Sequence, residues 1–156
     1  MPNQSPLDRA ILSHDLVDQI DMVAFFAVLR GATQIISDTE KVLRNNDSEL
    51  SAKEWDVLAF VSTDGPLRPS QLLRRTALTN SPQTLSSILD RMESKGVLIR
   101  QRTSDDARGV MVEITDKGAQ LIAEVFPVIA RKVIAPFTSN FTDDEVKSIA
   151  ELLDRL

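Results

Sequence analysis

The feature that most restricts the fold is a change of hydrophobic period at Gly96. Before it, Leu85, Ile88, Leu89 and Met92 recur at i, i+3, i+4 and i+7, the spacing of one buried stripe on an α-helix. Ser81-Pro82 supplies an N-cap and a proline at the first helical position, and Gly96 ends the helix. After it, two β-prone runs, Leu98 to Arg102 and Val110 to Ile114, flank the seven-residue polar loop TSDDARG, which reads as a hairpin with a projecting tip. Val110, Val112 and Ile114 alternate with Met111 and Glu113, so one hairpin face is expected to pack on helices and the other to meet solvent.

The other periodic stretches are helical, so the expected fold class is mainly α with a small β-hairpin. From about Asp15 to Asn45, Leu16, Ile20, Val23 and Ala27, then Val28, Ala32, Ile35 and Val42, recur at three- and four-residue steps. Some 30 residues in one helix make a rod of roughly 45 Å, longer than a small domain needs, and its apolar surface calls for a partner. Ser51 with Glu54 forms a capping box, starting a helix that presents Trp55, Leu58 and Val61 to the core and stops before Asp64-Gly65-Pro66. A short helix follows near Pro69, burying Leu72 and Leu73. The polar turn Thr76 to Asn80 comes next, with Leu78 as its apolar plug. Beyond the hairpin, Thr115-Asp116 caps a long helix carrying Leu121, Ile122, Val125, Ile129 and Val133, which Pro127 should kink or locally disrupt. Thr142 and Glu145 cap a last helix presenting Val146, Ile149, Leu153 and Leu156.

Composition narrows the function classes. A chain of 156 residues, 42% hydrophobic, suits one domain with its own core. It has no apolar run of about 18 residues, and its opening MPNQSPLDRA lacks the order of a secretory signal, so a cytoplasmic protein without membrane contact is expected. With no cysteine and a single histidine, His14, the sequence offers neither a metal cluster nor a nucleophile with its base; no cofactor and no enzyme activity are expected. The net charge of −5 is unevenly spread. Pro66 to Val110 holds eight basic and four acidic residues, a balance of +4, leaving ten against nineteen, or −9, elsewhere. A basic centre between acidic flanks suits a DNA-reading module on an acidic scaffold.

Short helix, turn, capped helix and hairpin is the order of a winged helix-turn-helix. The second of these helices leaves Gln83, Thr84, Ser86, Ser87, Asp90 and Arg91 on its outward face, short or flexible enough to enter a major groove about 12 Å wide. Gln83 can engage adenine N6 and N7 together, whereas Ser81, Thr84, Ser86 and Ser87 can bond base edges or phosphates, and Arg91 extends the same face. At the hairpin tip, Arg108 suits a narrow minor groove, with Asp106 to hold it in place beforehand. Ordinary solvation of a helix face, and a solvated ion pair at a turn, are the alternatives at these positions.

The stretch TLSSILDRMESKGVLIRQRTSDDARGVMVEITDKG resembles the MarR (multiple antibiotic resistance regulator) family from recognition helix through wing. The family pattern D-R-L-E-x-x-G-L-V, D-P-x-D-x-R, L-T-x-x-G is met by Asp90-Arg91-Met92-Glu93, Gly96-Val97-Leu98, Asp106, Arg108, Ile114-Thr115 and Gly118. Thr103 and Ser104 depart from the usual Asp-Pro, and Ile114 replaces the closing leucine. The match is specific over roughly residues 50 to 118; elsewhere only the layout agrees. The resemblance implies a single domain over 1–156, with a DNA-binding lobe at 51–118 and dimerisation helices at 15–45 and 119–156. It implies a homodimer on a pseudo-palindromic operator, repression being the commoner habit. It also implies a small aromatic or phenolic effector, for which Phe25, Phe26 and Arg30 are the candidate contacts, unless those side chains are simply core. The competing reading is a dimeric small-molecule-binding or protein-interaction module of the same fold that has lost operator binding.

Overall fold

A computed structural model describes residues 19–102 and 109–155, in two units that divide between Ser37 and Asp38. The described part of the first unit is the leading stretch of helix α1 (Gln19–Asn45). Its Val23, Phe25, Phe26, Val28 and Leu29 are all exposed, and at 100° per residue they cover more than one face. In the second unit α1 ends with Val42 and Leu43 buried, and closes through Asp47 in the left-handed region (φ 52°), which lets the Ser48 N–H reach the Leu43 carbonyl at 3.0 Å.

Helix α2 (Ala52–Asp64) is the centre of the second unit, packing on α3 (Pro69–Arg75), α4 (Pro82–Ser94), β2 (Val110–Ile114) and α5 (Asp116–Ile129). It starts at the expected capping box of Ser51 and Glu54, and Trp55, Val57, Leu58 and Val61 are buried around much of its circumference. Leu72 of α3 is fully buried and Leu73 half-buried. In the turn that follows, the expected plug Leu78 is only half-buried, whereas Thr76 and Thr79 are buried. Local bonding accounts for Thr76, whose hydroxyl donates to the Thr79 carbonyl at 3.2 Å, while the buried Thr79 hydroxyl has no hydrogen-bond partner among the described residues.

Strand β1 (Leu98–Arg102) pairs antiparallel with β2 in the register Leu98 to Ile114 and Arg102 to Val110. Leu67 adds a third position, exchanging two backbone hydrogen bonds with Val112 at 3.1 and 2.8 Å. Within β2 only Val112 is buried; Val110 and Ile114, expected to share its buried face, are half-buried, as are Met111 and Glu113. Gly118 fixes how α5 leaves the hairpin, since a Cβ there would lie 2.2 Å from the Val97 carbonyl oxygen.

Pro127 does not end α5. The helix runs to Ile129 and then widens into a π-turn over Ala130–Ile134 before α6 (Ala135–Thr138). Pro136 accounts for the width: its ring would strike the carbonyl four residues back, and a turn closed from the Ala135 N–H to the Ala130 carbonyl, one residue wider, relieves the clash. Helix α7 (Asp143–Leu153) has the expected Thr142–Glu145 capping box but no buried residue, and Leu152 and Leu153 are 56% and 44% exposed.

Candidate nucleic-acid interface

Helix α4 divides by face. Leu85, Ile88, Leu89 and Met92 are buried, while Gln83, Thr84, Ser86, Ser87, Asp90 and Arg91 are exposed. Its start is pre-ordered: the Ser81 hydroxyl accepts the Thr84 N–H at 3.1 Å and donates to the Thr84 hydroxyl at 2.8 Å, and Pro82 has no N–H to satisfy. The Ser87 hydroxyl donates back to the Gln83 carbonyl at 3.1 Å, keeping its lone pairs outward. The Gln83 side chain makes no hydrogen bond to the other described residues and is free to meet a ligand.

Three charged contacts set the attitude of this helix, and none was singled out from the sequence. At its approach, Asp56 of α2 accepts the Leu78 N–H at 3.0 Å, tying the turn to the core. Burial raises the Asp56 carboxyl above its ordinary value, against the lowering effect of the Leu78 and Ala77 amides. At its far end, Glu54, with a side chain only 3% exposed, receives the Lys95 ammonium at 2.9 and 3.0 Å and Arg91 Nε at 3.4 Å while still accepting the Ser51 N–H at 2.8 Å. Burial pushes Glu54 up, but the Ser51 and Lys95 bonds together outweigh it and hold the carboxyl below its ordinary value. On the wing side, Arg100 ion-pairs with Asp90, donates to the Ser86 carbonyl at 3.3 Å and has its own N–H bonded to Glu93 at 3.2 Å. A signal for Arg100 was present: it stands two residues after buried Leu98, on the same strand face.

The structure thus brings Ser81, Gln83, Thr84, Ser86 and Ser87 together over the first two turns of α4. Arg91 lies apart, eight residues beyond Gln83 or about 12 Å along the axis, and partly engaged by Glu54. Arg108 and its expected support Asp106 lie outside the described residues. On α1, Phe25, Phe26 and Arg30 are exposed, the two rings meeting edge to face at 5.3 Å. Between α3, α4 and the hairpin lies a cleft of about 380 Å³, lined by Ser70 and Leu73, Pro82 and Ser86, Arg100 and Val110 among others. Among the described residues no group of three or more His, Cys, Asp or Glu could hold a metal, and no helix is long and apolar enough to cross a membrane.

The MarR family's sequence profile matches residues 48–109, the stretch from the α1–α2 connection to the wing. The chain is 34% identical over 114 residues to the HTH-type transcriptional regulator PecS of Dickeya dadantii (strain 3937), a match covering 69% of this chain and 65% of that relative, just under two thirds of its length. Among solved structures, it superposes with a TM-score of 0.77 on Sco3205, a MarR family transcriptional regulator from Streptomyces coelicolor in complex with DNA (19% identity; 88% of this chain, 86% of that one). NadR in complex with 4-hydroxyphenylacetate gives 0.73 (17% identity; 99% and 96%). Residues 48–109 thus match the MarR family, and the fold, mainly helical with a two-stranded hairpin, is that of the winged-helix MarR family structures.

Proposed function

We propose that the chain is a sequence-specific, duplex-DNA-binding transcriptional regulator that reads a pseudo-palindromic operator as a homodimer. One observation carries the reading: α4 offers five short polar side chains at its N-terminal end, over a stripe that is entirely buried. A helix of that build fits a major groove, and its positive end favours phosphate. Gln83 is the base reader, Ser81, Thr84, Ser86 and Ser87 share base and phosphate contacts, and Arg91 reaches the backbone from the last turn. Arg108, oriented by Asp106, enters the minor groove. Residues 51–118 form the DNA-binding lobe, and the helices of 15–45 and 119–156 join the two copies. The DNA-bound state of Sco3205, a protein of the same fold, supports this docking.

The protein acts in the cytoplasm as a ligand-responsive repressor rather than an enzyme. Phe25, Phe26 and Arg30 suit a small aromatic or phenolic effector: two rings for stacking and a guanidinium for an anionic substituent. The 4-hydroxyphenylacetate held by NadR is a ligand of that class.

Gln83→Ala tests the reading. On a preferred site selected from random duplexes it should cost about 1–3 kcal/mol and relax preference at particular base pairs, leaving scrambled duplex bound as before. An equal loss on every sequence would make Gln83 a backbone contact.

A further inference from the structure

The arginines of the lobe look alike in sequence and differ in structure. Arg75 is committed: its guanidinium bonds Asp64 at 2.9 Å and lies 5.3 Å from the centre of the Phe60 ring. Arg91 and Lys95 are drawn to Glu54, and Arg100 to Asp90 and Ser86. Arg74 and Arg102, by contrast, are exposed and make no ion pair or hydrogen bond through their side chains to other described residues. Their places are not arbitrary. Arg74 stands one helical turn after Ser70 and next to Leu73, both of which line the cleft between α3, α4 and the hairpin. Arg102 shares the strand face of Arg100 and pairs with Val110, which line the same cleft from the other side.

We infer that Arg74 and Arg102 are phosphate contacts that hold one DNA strand across this cleft, beside the reading face of α4. The inference rests on the DNA-binding reading above and names the cations that give it affinity. An unpaired guanidinium is the group able to take up a phosphate without first surrendering a carboxylate, and it presents a fork matched to two phosphate oxygens. Arg75, one residue from Arg74, carries the same charge but must break an ion pair and leave a ring to do so. The sum of charges over this stretch therefore overstates the number of cations available to DNA.

The experiment is a salt series of binding to a duplex of scrambled sequence, read by fluorescence anisotropy. It uses the full chain, with circular dichroism and light scattering confirming that each variant is folded and assembled like wild type. Arg74→Ala and Arg102→Ala should each flatten the plot of log affinity against log salt by about 1.8 in a dimer, from roughly 0.9 per phosphate neutralised on each copy. Arg74→Lys and Arg102→Lys should restore most of the slope, because the charge is kept. Arg75→Ala, an identical change in net charge at the neighbouring position, should leave the slope as in wild type. Unchanged slopes for both Arg74→Ala and Arg102→Ala, or an equal flattening by Arg75→Ala, overturn the inference while leaving the DNA-binding reading intact. A wild-type chain that binds no duplex even at low salt overturns that reading, and the inference with it.

Discussion

Helices α4 and α7 carry nearly the same local message and meet opposite fates. Each starts at a hydroxyl cap, Ser81 or Thr142, and each repeats apolar residues at three- and four-residue steps. Helix α4 buries all four residues of its stripe against α2, α3 and β1, whereas α7 buries none, leaving Leu152 and Leu153 in the open. The contrast teaches that an amphipathic pattern specifies that a face will be covered, and not by what. The stripe of α4 finds its cover inside the chain. For α7 the homodimer proposed above supplies it, since an apolar face of this kind left bare favours association.

Three substitutions distinguish the two helices, and they differ in how far each lowers the stability of the chain itself. Leu85→Ala should have the largest effect, costing about 2–5 kcal/mol as an unfilled cavity opens under α4, with the loss independent of protein concentration. Any concentration dependence that comes from assembly is shared by wild type and variant, so a difference between them that itself changed with concentration would mean that α4, too, is covered by a partner.

Next in size is the tie between α4 and α2 through Glu54. Its carboxyl is held below the ordinary value of 4.5, so the stability it contributes is fully present above that pH and is lost as pH falls through the lower, folded value. Glu54→Gln should therefore flatten the acid side of a stability-against-pH curve. Asp56 works in the opposite sense: raised above 3.8, its contribution is full below that pH and is lost as pH rises through the folded value. An acid limb as steep in Glu54→Gln as in wild type would show that the buried bridge is not what the fold loses in acid.

Smallest on this scale is Leu153→Asp, which should alter the stability of the separated chain by only about 0.5 kcal/mol, as surface substitutions do. Its effect on assembly should be large, converting dimer to monomer at micromolar concentration by light scattering. A Leu153→Asp protein that remains dimeric and competent for DNA would place the covered stripe of α7 elsewhere.

The parts of this protein governed by bonds over a few residues are legible in its sequence. Ser51, Ser81, Thr115 and Thr142 cap their helices because a hydroxyl reaches an amide three residues on, wherever the helix is later placed. The α4 stripe and the paired runs around the wing were legible for the same reason, as was the family pattern they compose. Tertiary structure decided what depends on partners far along the chain. Glu54 reads as a cap and is also the anchor of Lys95, 41 residues away; Asp56, which has no role in the sequence pattern, holds an amide 22 residues on. Leu67 reads as loop and completes the hairpin at Val112. Among the arginines, side chains of identical charge were sorted into those paired within the fold, such as Arg75 and Arg100, and those with no ion pair to another described residue, Arg74 and Arg102. The physical reason is that a helix period or a cap is fixed by local geometry. The pairing of a charge is fixed only when packing carries its counterion to within about 3 Å and removes the water between them.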